Sequence, residues 1–181
     1  ETAMNSINHN QPEHNHENLR GPAAIEKIKE LAAKGSNCFF CTSVALGDKG
    51  GVRPMNVRLV DDAGDLWFLS ASDSHQNQEI TRDPRVKLFF QGSKHSDFLH
   101  LTGRATISTD RRKIEELWEP IIANWFTGGI DDSRITVIQV IPDDGYYWDT
   151  KHGPTVAGIN MFLGAMLGKT LDDSIEGTLQ K

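Results

Sequence analysis

The chain has 181 residues, 38% hydrophobic and 24% charged, with a net charge of −6. That length supports one domain with a sizeable core, and the composition excludes a disordered chain. An acidic balance without a basic run argues against nucleic acid as a partner.

A membrane partner is not expected either. The longest apolar stretch, Thr155 to Leu167, is broken by Gly158 and Asn160 and is too short to span a bilayer. The first twenty residues lack an apolar core of signal-peptide length, so a cytoplasmic location is the expectation.

Residues 1–20 are polar and rich in Asn and His, and read as a solvated tail ahead of a single domain over 21–181. Pro22 opens a predicted helix, with Ala24, Ile25, Ile28, Leu31 and Ala32 at helical spacing and Gly35 as its stop. A strand follows from Asn37 to Leu46. It carries Cys38 and Cys41, the chain's two cysteines. Residues three apart on a strand face opposite ways. The pair therefore suits neither a redox dithiol nor a zinc site, which would need two further ligands. No metal site is expected.

A glycine-rich turn at 47–51 leads to a second strand, Val52 to Val60. A third runs from Asp65 to Ala71. Its run Leu66 to Leu69 is continuously apolar, which predicts cover on both faces. A short polar helix is predicted over 74–82, ending at Asp83-Pro84. Strand four is Arg85 to Gln91 and strand five Asp97 to Ser108, with Gly103 marking a bulge or a close approach. Asp110 caps a helix that Pro120 kinks or splits and that ends at Gly128-Gly129. Strand six is Arg134 to Ile141 and strand seven Tyr146 to Asp149. An apolar helix, Val156 to Leu167, and a polar end close the chain. The pattern predicts a mainly β, antiparallel barrel with α additions.

One stretch concentrates the chemistry. Arg53 offers a planar fork of donors. Ser70, Ser72 and Ser74 offer hydroxyls, and the helix start at Ser74 offers free N–H groups and partial positive charge. Together they suit a phosphate. The alternative is that these are turn and cap residues with Arg53 in solvent. Asp73 favours that alternative, because its carboxylate could cap the helix and repel an anion. Arg58 falls on the opposite side of its strand from Arg53 and suits an acidic neighbour. Trp125, Phe126 and Trp148 could cover a flat ring or could be core. His75, His95, His100 and His152 show no ligand spacing.

The order of several segments resembles a known family. They are Arg53-Pro54-Met55, Leu66-Trp67-Phe68-Leu69-Ser70, Ser74, Ile80 through Asp83-Pro84-Arg85-Val86, and Leu101-Thr102-Gly103-Arg104-Ala105. Trp118 through Asp131-Asp132 and Tyr147-Trp148-Asp149 complete them. Together they resemble the pyridoxamine 5'-phosphate oxidase-like flavoproteins, in their general stress protein branch. The resemblance implies a Greek-key FMN-binding split barrel that forms a homodimer with flavin at the interface. FMN is the implied cofactor, with FAD as the alternative. It implies that Arg53, Pro54, Met55, Asn56 and Val57 run along the flavin, Arg53 reaching the phosphate. Leu69, Ser70, Ala71 and Ser74 would border the ribityl-phosphate, with His75 and Gln76 at the helix start. Trp148 would cover the ring from the other subunit.

Two departures stand out. The family often has a lysine where Gln76 stands, and Gln76 brings hydrogen bonds but no charge. The oxidases' Arg-x-His substrate signature is replaced by Asp149-Thr150-Lys151-His152-Gly153, which argues against pyridoxamine phosphate oxidation. The expected function is a flavin protein with a redox role in stress. The alternatives are a non-catalytic flavin store and a barrel that has lost flavin and serves as an interaction domain.

Overall fold

The computed structural model describes residues 15–47, 50–93, 96–151 and 173–181. Its strands are β1 (Leu19–Arg20), β2 (Asn37–Thr42), β3 (Val52–Asn56), β4 (Leu59–Val60) and β5 (Leu66–Ala71). They continue as β6 (Arg85–Gln91), β7 (Phe98–Ser108), β8 (Ile135–Thr150) and β9 (Ser174–Gln180). The helices are α1 (Pro22–Gly35), α2 (His75–Arg82) and α3 (Arg111–Leu117).

All the strands join one nine-stranded sheet, ordered β1-β9-β8-β7-β6-β2-β3, with β5 on β8 and β4 on β5. Every pairing is antiparallel except β1 with β9. The sheet curls without closing, which is the split barrel expected from the sequence.

The split turns on β8. Its first half pairs with β5 and its second half with β9, while β7 runs beside both. The sequence reading ended one strand at Ile141 and began another at Tyr146. Instead one 16-residue strand runs through. The register of β7 against β8 shifts at Thr102/Gly103, and Asp143 is the extra residue between Pro142 and Asp144. A bulge tolerates a proline that cannot donate to the ladder and bends the strand without ending it. Gly103 is the close approach that makes this possible: a Cβ there would lie 2.3 Å from Ile141 O. Gly103→Ala is therefore expected to destabilise the fold by about 3 kcal/mol, read as a lower urea midpoint.

The main core packs α1 against the inner sheet face, with Ile28, Leu31, Phe40, Phe68, Leu88 and Leu101 fully buried. A second core covers the outer face of β5 and β8, where Trp67, Leu69, Ile135 and Val137 meet α3. Leu66 and Phe68 thus point inward, Trp67 and Leu69 outward. Both faces of β5 are covered, as its apolar run predicted.

Several boundaries differ from the sequence reading. The second strand divides into β3 and β4, and the first ends at Thr42. α3 stops at Leu117, and a separate 3-10 turn runs from Pro120 to Asn124. Glu119, just before Pro120, is extended at φ −130° and ψ 150°, because the proline ring disfavours helix before it. Residues 15–20, read as tail, lie against β9: Leu19 pairs with Leu179, and Tyr147 Oη donates to Glu17 O at 2.9 Å. The polar end is β9, with Ile175, Gly177 and Leu179 alternating. The predicted helix at 156–167 lies outside the described residues. Among the described residues no helix is long and apolar enough to cross a membrane.

Candidate anion site at the start of the second helix

β5 delivers the chain to Ser74, which caps α2: Asn77 N donates to Ser74 Oγ at 3.2 Å. Asp73 does not take the cap. It lies 3.8 Å from Arg134 Nη1 instead.

The buried stripe of α2 is Gln76, Asn77, Glu79 and Ile80. Those positions fall on one helical face, where apolar residues normally sit. Here three of the four are polar, and each reaches a different wall. Ser70 Oγ donates to Gln76 Oε1 at 3.4 Å and lies 3.3 Å from Ser74 Oγ. Asn77 Nδ2 donates to Thr136 Oγ1 at 2.7 Å, which ties α2 to β8. Glu79 is fully buried and gathers three donors: Arg53 Nη2, Thr42 Oγ1 and Leu46 N, each at 2.7 Å. Burial alone would raise its carboxyl. The hydrogen bonds from Leu46, Thr42 and Arg53, and the Arg53 charge, outweigh that and hold it below its ordinary value.

The result is a fixed guanidinium with a free end. Among the described residues, five buried side-chain polar atoms have no partner. Three of them, Arg53 Nη1, Gln76 Nε2 and Asn77 Oδ1, belong to this cluster. A buried donor left unmade costs about 1–3 kcal/mol, so two in one cluster point to an absent acceptor. Gln76 and Glu79 are neighbours on one helix face, and Glu79 grips Arg53. Both free donors thus belong to side chains tied to α2, Gln76 directly and Arg53 through Glu79. A phosphate, with three acceptor oxygens at a helix start, fits that donor set.

The other residues singled out in the sequence spread around this cluster. His75 packs near Gly47, where a Cβ would come within 3.0 Å of its ring. Pro54 and Asn56 face outward on β3, while Met55 and Val57 lean on the main core. Leu69 and Ala71 lie against the second core rather than the cluster. Arg58 pairs with Glu119 at 2.6 Å and takes no part. Phe126 is buried and Trp125 is 69% exposed. Trp148 lies toward the far end of β8 from Thr136, so it is remote from Ser70 in its own chain.

Glu79 was not singled out in the sequence, although it is the centre of the cluster. The available signal was the polar stripe around Ile80 on a helix facing an arginine strand. The cysteines behave as expected from their spacing. Cys38 is buried and Cys41 half-buried, both are free, and burial pushes the Cys38 thiol up to about 12. Such a thiol stays protonated and unreactive at neutral pH.

The unclosed, curled sheet with a polar cluster at the start of α2 defines a split-barrel protein. The chain belongs to the pyridoxamine 5'-phosphate oxidase-like family, whose sequence profile matches residues 23–172. It is 26% identical over 127 residues to Protein bli-3 of Neurospora crassa, which is 64% of this chain and 61% of that protein. The chain thus spans about three fifths of that curated relative. Among solved structures, a candidate general stress protein 26 of Jannaschia sp. CCS1 matches with a TM-score of 0.72. Its identity is 20%, over 89% of this chain and all of that one. General Stress Protein 26 of Bacillus anthracis matches with a TM-score of 0.59 and 22% identity, over 68% of this chain and 92% of that one. The general stress FMN/FAD binding protein of Xanthomonas citri matches with a TM-score of 0.58 and 22% identity, over 67% and 84%. At these identities the structures establish the fold.

Proposed function

We propose that this protein binds a flavin nucleotide, FMN or FAD, with its phosphate at the start of α2, and serves a redox role in a stress response. The observation that carries the reading is the pair of buried, unpartnered donors, Arg53 Nη1 and Gln76 Nε2. The stress role rests on the names of the structural neighbours.

On the face of β3 opposite the Arg53 side chain, Pro54 opens onto a groove of about 470 Å³. Phe39, Phe89, Phe90, Phe98 and Cys38 line its other walls. A flat, largely apolar ring suits such a lining. β3 is the last strand in its direction, so its outer backbone edge has no strand partner among the described residues. Bound flavin would supply electron transfer. The chain's own residues would hold the phosphate, orient the ring and keep water from it.

The same face supports the homodimer. Phe39, Phe89, His100 and Tyr146 form a row across four strands by register. Phe89 stacks on His100 at 4.6 Å, and Tyr146 meets Trp148 at 4.6 Å. Phe39 is 59% exposed, Phe89 42% and Trp148 42%. Exposed rings at Phe39, Phe89 and Trp148 along this row suit an association surface. Burial and Lys87 hold the His100 imidazole below its ordinary value, so the row is uncharged at neutral pH. In a dimer built on this face, Trp148 serves the flavin of the other copy.

A thermal melt with FMN, FAD or neither tests the reading. Ligand that binds only the folded protein stabilises it by about 2.7 kcal/mol at a hundredfold excess over its dissociation constant. A clear rise in the midpoint is expected. No rise with either flavin would contradict flavin binding and favour an interaction domain.

A further inference from the structure

Phosphate sites commonly gain much of their hold from net positive charge. Around α2 that charge is cancelled. Arg53 gives Nη2 to the fully buried Glu79 at 2.7 Å. Among the described residues, the other cation beside the helix start is Arg134, which gives Nη2 to Asp132 at 2.8 Å and lies 3.8 Å from Asp73. Each arginine is matched by a carboxylate. Gln76, which shares the inner face of α2 with Glu79, brings a donor and no charge.

The cluster therefore offers an anion hydrogen bonds without a surplus of positive charge. A second negative charge on the phosphate would meet Glu79 behind Arg53 and gain little from the pair. We propose that the site is charge-compensated, with Glu79 and Gln76 as specificity-determining residues that admit a phosphate group bearing one charge, as in a phosphodiester or one phosphate of a dinucleotide's diphosphate, as readily as a doubly charged monoester. This inference rests on the flavin reading. Its consequence is that a dinucleotide flavin is accepted on the same terms as a mononucleotide.

The test uses three probes against the whole protein at pH 8: riboflavin, FMN, and the methyl ester of the FMN phosphate. The monoester carries close to two charges at that pH and the methyl ester one. Flavin fluorescence reports each dissociation constant. In the wild type, FMN and its methyl ester should bind within about threefold of each other, and both more tightly than riboflavin. In Glu79→Gln the pair is unbalanced, and FMN should gain about tenfold over the ester through the Arg53 charge.

A wild-type preference for FMN over the ester well beyond threefold would overturn the inference. So would a Glu79→Gln variant with the wild-type ratio. If that variant fails to fold, the wild-type ratio decides alone. Failure on the flavin reading is distinct: riboflavin would bind as tightly as FMN, or none of the three would bind, and the inference would fall with it.

Discussion

Arg53→Ala should lower the stability of the protein at neutral pH by about 3 kcal/mol, because it strands a buried carboxylate. Glu79 has no exposed surface, and among the described residues Arg53 is its only cationic partner within salt-bridge distance. Thr42 and Leu46 remain as donors, which keeps the loss near the low end of what breaking a buried pair costs. The pH dependence carries the signature. In the wild type the Glu79 carboxyl sits below its ordinary 4.5. Its contribution is complete above that pH and is lost as pH falls through the lowered value. In the variant the Arg53 hydrogen bond and charge are gone, so burial lifts the carboxyl from its wild-type value. The destabilisation is then complete at neutral pH and fades as acid protonates the group. Urea melts of both proteins from pH 7 to pH 4 should show the gap closing. A gap independent of pH would mean that Glu79 is not the group left unpaired. The same variant should lose phosphate-dependent flavin affinity, since Nη1 goes with Nη2.

Phe89→Glu should break the proposed dimer while leaving the protomer folded. Phe89 is 42% exposed in the single chain, so the fold's own stability should change by less than about 0.5 kcal/mol. Within an association surface it sits between Phe39 and His100, at the middle of the aromatic row. A carboxylate there would be desolvated without a partner. An association loss of about 3 kcal/mol or more, over a hundredfold, is expected. Sedimentation should show monomer at concentrations where the wild type is dimeric. Flavin affinity should fall with it if Trp148 serves the ring from a second copy, as proposed. A variant that stays dimeric would remove this face from the interface.

Much of the fold was legible because local signals agreed. Pro22 and Gly35 bound α1, Asp61 to Gly64 turns β4 into β5, and alternation marks β6. The apolar run of β5 correctly announced two covered faces. The misreadings share a cause, which is that context outside the local sequence decided them. Pro142 and Gly145 carry turn chemistry, yet β8 takes up the irregularity as a bulge at Asp143 against β7 and continues. Leu19–Arg20 is too short to signal a strand and exists because β9 offers an edge. At the site, the sequence could bring Arg53, Ser74 and Gln76 into one hypothesis. It could not show that Glu79 turns inward and neutralises Arg53, because a glutamate on a short polar helix usually faces water.

The most direct test of the account is a crystal structure of the protein soaked with FMN. The account expects the phosphate within hydrogen-bond distance of Arg53 Nη1 and Gln76 Nε2, with the Arg53–Glu79 pair intact. Flavin bound with its phosphate elsewhere, or these two donors still unpartnered beside a bound flavin, would contradict it.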